Sequence, residues 1–269
     1  MTRFAIVISL ILAAPAAANQ LTPDDFMDLT AADVVILGEI HDNPAHHAIQ
    51  ALAIAAIAPK AIVFEMLTSE QAAKVPGDRS DMAQLEAALG WNASGWPDFA
   101  MYHPIFTAAL DAQIYGADLP MGATKLAVKS GAATAFGAEA MRYGLSQPLD
   151  PADQTARQLE QAEAHCNQLP PDLLPGMVQV QRLRDAALAR AVVLAMAQTG
   201  GPVAVITGIG HARSDTGMPA PLRLAAPDLR VLSVGQFESA PDQPTPYEYW
   251  LITPPQPRED PCLAFSTQG

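Results

Sequence analysis

Short hydrophobic runs alternate with helix-like segments along the first half of the chain. Residues 33–37 (DVVIL) and 61–66 (AIVFEM) are short, mostly apolar runs of strand length, typical of strands buried on both faces of a parallel sheet. The segment AHHAIQALAIAAIA follows Pro44 and predicts a helix, because a first helical turn accepts proline. Further predictions are short helices at 69–74 and 82–89, a loop at GWNASGWPDFAMYHP, a helix at 104–112 and a strand at QIYGAD.

The second half opens with a long stretch that lacks strand signals. Residues 132–200 predict helices, and MVQVQRLRDAALARAVVLAMAQ carries Val180 and Leu183 on one helical face. We predict an α/β fold with a mostly parallel central sheet flanked by helices. In this prediction residues 19–269 form a single domain, with a helical lid inserted at about 133–185. Apolar runs return at 202–207, 230–234 and 247–252.

The first eighteen residues have the character of an export signal. Arg3 is followed by a short apolar stretch and then by small residues ending at Ala18, the order of a cleavable signal peptide. We expect cleavage after Ala18, the alternative being an uncleaved N-terminal anchor. No cysteine stands directly after the apolar stretch, where a lipid would be attached. We therefore expect no lipid anchor and a periplasmic location. Cys166 and Cys262 can form a disulfide in such an oxidising compartment.

An acidic charge balance limits the classes of partner. The formal net charge is −13 and the pI is about 4.7. Nucleic-acid binding requires a basic patch, as does adhesion to an anionic membrane surface, so we expect neither partner. No segment after the signal-like stretch reaches the roughly 20 apolar residues of a membrane span. We therefore expect no transmembrane segment in the mature chain.

Histidine and carboxylate residues follow the predicted strands at the ends where parallel sheets bind ligands. The first strand leads into GEIH, residues 38–41, and the strand at 202–207 leads into GIGH, residues 208–211. We expect each glycine to let the chain turn off the sheet, so that His41 and His211 face back over the strand ends. The candidate catalytic residues are Glu39, His41, Glu65, His211 and Arg213.

Imidazole and carboxylate groups from different strands suit metal-assisted chemistry. They are the ligand set of Zn, Mn or Fe sites, for which we name His41, Glu65 and His211. Glu39 or Glu65 can act as general base on a metal-bound water, and Arg213 can hold an anionic group or an oxyanion. The alternative is that Glu65 is a structural carboxylate paired with Arg213.

The remaining histidines and aromatic residues follow less specific patterns. We expect His46 and His47 to be exposed in a first helical turn, and His103 to be packed in the aromatic loop. Tyr143 and His165 lie on the predicted insertion, and both residue types ligate haem iron. They are therefore the candidate haem ligands, the alternative being exposed helical residues without a role. Core packing, a hinge or a flat apolar platform are the alternatives for Trp91, Trp96, Phe99, Tyr102 and Phe106.

The motifs, taken in chain order, resemble those of the ChaN-like family of haem-binding iron-uptake proteins. They are LGEIHDNPAHH, VFEM, GWPDFAMYHPI, YGADLP, AHCNQLP, QRLRDAALAR and TGIGHARSDTGMP, between about residues 30 and 225. The family is similar to the Tiki proteases and the erythromycin esterases, in which Gly-x-x-His and glutamate residues at strand ends carry hydrolytic, often metal-dependent chemistry. The resemblance implies an α/β body with a helical lid, and haem bound near the lid, with a homodimer as one arrangement.

Two functions are consistent with these features. The first is a periplasmic haem-binding protein of haem and iron uptake, with Tyr143 or His165 as the axial ligand. The second is a metal-dependent hydrolase that uses the strand-end cluster against an ester or peptide bond. A third alternative is a lid-covered module whose histidines only hydrogen-bond to one another.

Overall fold

One parallel sheet forms the centre of the molecule. The computed structural model describes residues 18–260 and 262–263 of the 269-residue chain. Its strands are β1 (Asn19–Gln20), β2 (Val34–Glu39), β3 (Ala61–Phe64), β4 (Gln113–Gly116), β5 (Val203–Gly208), β6 (Val231–Phe237) and β7 (Tyr249–Ile252). They lie in the order β1-β7-β6-β2-β5-β3-β4, and every neighbouring pair is parallel. The predicted α/β class with a parallel central sheet is confirmed.

Helices cover both faces of this sheet. They are α1 (Pro44–Ile57), α2 (Ser69–Ala72), α3 (Met82–Leu89), α4 (Phe99–Ala108), α5 (Met121–Ser130), α6 (Ala132–Phe136), α7 (Pro151–Ala164), α8 (Leu174–Thr199), α9 (Ile209–Ala212) and α10 (Pro219–Ala225). Two 3₁₀ segments span Pro23–Ala31 and Trp91–Ala93. The helix predicted at 82–89 is confirmed, and the one predicted at 69–74 ends at Ala72.

The helix predicted at 104–112 is wrong in both bounds. Helix α4 begins after Asp98, whose side chain accepts a hydrogen bond from the Ala100 backbone N–H, and it contains Pro104. Its buried residues include Phe99, Tyr102 and Phe106, whose spacing of three and four is that of one helical face. The aromatic segment that we interpreted as a loop is therefore partly a buried helix.

The period-two alternation of the strands divides the core into two layers. Val35 and Leu37 of β2 pack in the layer that contains α1 and α4. Val34 and Ile36 pack in the layer that contains α6 and α8. Strand β5 lies between β2 and β3, with Glu39 paired to Gly208 and Phe64 paired to Ile206. The carboxyl ends of these three strands are therefore level with one another.

The helical region after β4 contributes to both core and surface. Helix α7 has no buried residue and packs against α8, whereas α8 buries Val180, Leu183 and Leu188 in the core of one sheet layer. Residues 174–185 thus belong to the α/β body. A lid role for residues 133–185 stays a prediction.

Two further predictions concern the chain ends. Cys166 and Cys262 form the predicted disulfide, with their Cα atoms 5.5 Å apart, and it joins the turn after α7 to the C-terminal segment. Within the described residues, no helix combines the length and hydrophobicity that crossing a bilayer requires. The predicted signal peptide lies outside the described residues except for Ala18, and it stays a prediction.

Candidate functional site

Two buried carboxylates each hold a histidine at the carboxyl edge of the sheet. Glu39, the last residue of β2, places Oε1 2.8 Å from His41 Nδ1. Asp185 of α8 places Oδ1 2.7 Å from Nδ1 of His211, which lies in α9 directly after β5. In both pairs the carboxylate fixes the ring orientation and leaves Nε2 on the side away from it.

Glu65, directly after β3, lies between the two pairs. Its Oε2 accepts hydrogen bonds from Thr207 Oγ1 at 2.6 Å and from the Gly208 backbone N–H at 2.7 Å. Its Oε1 lies 3.5 Å from His211 Nε2. A Cβ atom built on Gly208 would lie 2.8 Å from His41 Nε2 and 3.6 Å from Glu65 Oε2. The structure therefore brings both Gly-x-x-His motifs and Glu65 to one rim.

Gly38 and Gly208 serve close packing rather than the turn that we expected. Neither residue has a positive φ. A Cβ atom on Gly38 would lie 2.8 Å from Ala212 Cβ and 3.1 Å from the Ile209 Cα, so α9 packs directly on β2 at this point. On Gly208 the imidazole of His41 occupies the space of a side chain. The backbone freedom of glycine, which we expected to allow the turn, is therefore not used at either position.

Glu39 is the hydrogen-bonding centre of the site. Its carboxylate is 1% exposed, and it accepts hydrogen bonds from Tyr102 Oη at 2.8 Å and from Gln50 Nε2 at 2.7 Å. Burial acts to raise the pKa of Glu39, but the hydrogen bonds from His41 and His47 outweigh it and hold the pKa at about 2. Glu39 is therefore a carboxylate at neutral pH, although it has almost no contact with solvent.

His46 and His47 are completely buried, so the expectation that they are exposed is wrong. The Ile40 backbone N–H donates to His46 Nδ1 at 2.8 Å, and burial lowers the pKa of His46 to about 4. His47 Nε2 lies 2.9 Å from the His41 carbonyl oxygen, and Nδ1 faces the side-chain oxygens of Gln50 and Glu39 at 3.1 and 3.3 Å. Since both nitrogens of His47 face acceptors, its surroundings favour the imidazolium form. Burial acts to lower the pKa of His47, but the hydrogen bond and charge of Glu39 outweigh burial and raise it.

The ring of His211 also faces an acceptor on each side. Burial acts to lower its pKa, but the charges of Glu65 and Asp185 outweigh burial and raise the pKa to about 9. Because the folded pKa lies above the unfolded value of about 6.5, the stabilising effect is complete below pH 6.5. It is lost as the pH rises through about 9.

We predict that, between pH 6 and pH 10, the free energy of unfolding of wild type falls by about 3 kcal/mol more than that of His211→Gln. The variant lacks the group that titrates in this window. The measurement is urea unfolding of both proteins at several pH values. Parallel pH profiles of the two proteins would contradict the ion pairs of His211 with Asp185 and Glu65.

Arg213 does not pair with Glu65. Its Nε donates to Asp215 Oδ1 at 3.0 Å, its second terminal nitrogen donates to Asp215 Oδ2 at 2.8 Å, and Glu160 lies 3.7 Å away. The alternative pairing of Glu65 with Arg213 is therefore wrong. Arg213 lines a separate cavity of about 270 Å³ under α7, which also reaches Asp185. A catalytic role for Arg213 stays a prediction.

Metal ligation by His41, Glu65 and His211 was the sequence hypothesis. Among the described residues, no group of three or more His, Cys, Asp or Glu has the arrangement to hold a metal ion. The residues that the structure does bring together are carboxylate-backed histidines with ionised neighbours. This arrangement suits proton transfer, since a histidine held by a buried carboxylate is oriented to act as an acid or a base.

A larger cavity lies beside this cluster, and we call it the Tyr143 cavity. Its volume is about 770 Å³, and its wall is formed by the end of β4, the segment around Tyr143 and one face of α8. Ala117, Asp118 and Leu119 line both this cavity and a narrow pocket that contains Glu65. The cavity and the acid–base cluster are therefore neighbours that share one wall.

The two candidate haem ligands have different surroundings. Tyr143 lines the cavity at 2% exposure, and its hydroxyl has no hydrogen-bond partner among the described residues. His165 is half-buried at the end of α7, where Nδ1 donates to the Gln161 carbonyl oxygen at 2.8 Å. That hydrogen bond leaves Nε2 as the nitrogen with a free lone pair. His165 does not line the Tyr143 cavity.

The strand-end pattern does not predict several residues that contact the cluster. Tyr102 was assigned to packing or a platform, whereas its hydroxyl donates to Glu39. Asp185 lies within a long helix and Gln50 in the middle of α1, so neither follows a strand. His103, expected to be packed, is half-buried in α4, where Nε2 donates to the Arg79 carbonyl oxygen at 2.8 Å. The signal for Asp185 is a charged residue on the buried face of α8.

Comparison with known proteins identifies the protein family to which this chain belongs. The chain matches the family model of haem-binding uptake proteins, Tiki superfamily, ChaN, over residues 26–222. The protein therefore belongs to this family, and the resemblance seen in the sequence is confirmed. No curated protein matches the chain.

Solved structures share the fold. The structure described as cofacial heme binding to ChaN of Campylobacter jejuni aligns with a TM-score of 0.61 at 19% identity, covering 83% of this chain and 89% of that chain. The structure of the type III effector HopBA1 aligns with a TM-score of 0.51 at 12% identity, covering 90% of this chain and 100% of that chain. Both are similarities of fold.

Proposed function

We propose that this protein binds haem as part of haem and iron uptake, with the Tyr143 cavity as the binding site. Its volume of about 770 Å³ lies in the range of about 300–1,000 Å³ that ligand pockets occupy. The observation that carries the proposal is the buried Tyr143 hydroxyl without a partner. A buried polar group without a hydrogen bond is costly, and tyrosine is a haem-iron ligand. The ChaN structure from Campylobacter jejuni, described as binding heme, supports the same ligand.

The cavity residues fit a porphyrin. Burial raises the pKa of Tyr143 and the charge of Glu139 acts in the same direction, while the charges of Arg142 and Arg190 act to lower it. Bound haem would supply the iron that Tyr143 would ligate. Leu194 lines the cavity and is 49% exposed. An exposed apolar side chain at this place suits the flat apolar face of a porphyrin.

His165 is the second candidate ligand. Its free Nε2 and half-buried position suit iron ligation at the protein surface. His165 does not line the Tyr143 cavity, so its ligation of haem would take place outside that cavity. A homodimer, which the family resemblance implies, stays a proposal. A periplasmic location suits the signal-like first eighteen residues and the Cys166–Cys262 disulfide.

We predict that Tyr143→Phe weakens haemin binding at least tenfold and shifts the Soret band relative to wild type. The substitution removes the phenol oxygen and keeps the ring that packs on Phe136. Tyr115→Phe is the matched control, since Tyr115 lines the same cavity but its hydroxyl donates to Gln198 at 2.7 Å. The measurement is an absorption titration of apo protein with haemin, with His165→Ala in parallel. An unchanged Soret band in Tyr143→Phe would contradict ligation by Tyr143.

Hydrolysis at the strand-end cluster is a second candidate function, favoured by one observation. The His41 side chain is 31% exposed while Glu39 behind it is fully buried, so an oriented imidazole meets solvent beside Glu65. The measurement is hydrolysis of an ester substrate by wild type and by His41→Ala. An equal rate in His41→Ala and wild type would exclude this function.

A further inference from the structure

One arginine in the wall of the Tyr143 cavity, Arg190, has no anionic partner among the residues that the structure describes. The guanidinium of Arg190 forms neither an ion pair nor a hydrogen bond with any residue of the described chain, and it lies 4.3 Å from the ring centroid of Phe136. Phe136 in turn packs edge-on against Tyr143, with ring centroids 5.1 Å apart. The aromatic ring therefore orients the guanidinium beside the unpartnered phenol, while the N–H donors stay available.

The neighbouring arginine differs in this respect. Arg142 also lines the cavity, but it lies 3.9 Å from Glu139 and donates to the Ala225 carbonyl oxygen at 3.2 Å. Part of its hydrogen-bonding capacity is thus occupied. Arg190 has no such partner among the described residues, so its N–H donors remain available to a ligand in the cavity.

We propose that Arg190 recognises a carboxylate of the ligand, which makes the Tyr143 cavity specific for an anionic porphyrin. This inference rests on the proposed haem-binding function. Haem carries two propionate carboxylates on a flat apolar ring. The planar guanidinium fork matches a carboxylate in two-point geometry. The apolar wall of the cavity matches the porphyrin ring, the phenol of Tyr143 matches the iron, and the guanidinium of Arg190 matches a propionate.

The test compares haemin with haemin dimethyl ester, in which both carboxylates are capped, in the same cosolvent. Wild type should bind haemin about tenfold more tightly than the diester, measured by absorption titration. Arg190→Gln should weaken haemin binding about tenfold and leave diester binding unchanged, and Arg190→Lys should recover part of the loss. Arg230→Gln is the control, since Arg230 is exposed, lies 3.5 Å from Asp33 and does not line the cavity, and it should change haemin affinity by no more than about twofold. Circular dichroism checks that each variant is folded.

The outcomes separate this inference from the proposed function. Equal weakening of haemin and diester in Arg190→Gln would overturn carboxylate recognition while leaving haem binding in place. Equal affinity of wild type for haemin and for the diester would also overturn carboxylate recognition. Failure of wild type to bind either porphyrin would overturn the haem-binding function itself, and the role of Arg190 with it.

Discussion

Replacing Glu39 with alanine is expected to lower the free energy of unfolding by about 3–5 kcal/mol, as found when one partner of a buried ion pair is removed. The carboxylate accepts hydrogen bonds from Tyr102 and Gln50 at 2.8 and 2.7 Å and holds two histidine rings. Without it, the imidazolium of His47 is buried with no anion beside it. The Tyr102 hydroxyl also loses the oxygen to which it donates.

The experiment is chemical unfolding of wild type, Glu39→Ala and Tyr102→Phe at pH 7. Tyr102→Phe is the matched control, because it removes one hydrogen bond to the same carboxylate and should cost about 1 kcal/mol. Glu39→Gln keeps the shape but loses the charge, so its cost should lie between the two. A loss in Glu39→Ala no larger than that in Tyr102→Phe would show that Glu39 is not the centre of the network.

The outline of the site could be predicted from the sequence because it depends on strand ends. Parallel strands place their carboxyl ends at one edge, so a glutamate or histidine that follows an apolar run lies at that edge in any order of strands. His41, Glu65 and His211 were found in this way. Their proximity further depends on β5 lying between β2 and β3, which the apolar runs alone do not specify.

The support of the site could not be predicted in the same way. Asp185 and Tyr102 come from helices of opposite layers, α8 and α4, and only packing against the sheet brings them to the strand ends. His46 and His47 were expected to be exposed because first-turn residues usually are. His47 is buried where α4 packs across α1, with the rings of Tyr102 and His47 4.1 Å apart. His46 is buried with its Nδ1 accepting a hydrogen bond from the Ile40 backbone N–H.

The common wall of the two candidate sites connects the two proposed functions. Residues 117–119 separate the Tyr143 cavity from the pocket that contains Glu65. The cluster holds His211 with its pKa raised to about 9, and thus carries a proton at neutral pH close to the proposed haem site.

The second large effect is expected from Gly38→Ala, which should lower the free energy of unfolding by about 2–3 kcal/mol through overpacking. The added methyl group would lie 2.8 Å from Ala212 Cβ and 3.1 Å from the Val234 carbonyl oxygen. Neither contact is the flexible end of a long side chain. Relief therefore requires α9, which carries His211, to move away from β2.

Gly210→Ala is the matched control, because Gly210 lies in α9 itself and nothing stands within 4 Å of the added atom. A solvent-facing substitution of this kind should change stability by no more than about 0.5 kcal/mol. Movement of α9 would also separate His211 from Glu65, so Gly38→Ala should show a smaller loss of stability between pH 6 and pH 10 than wild type. Equal stabilities of the two glycine variants would refute the close packing of α9 on β2, on which the position of His211 depends.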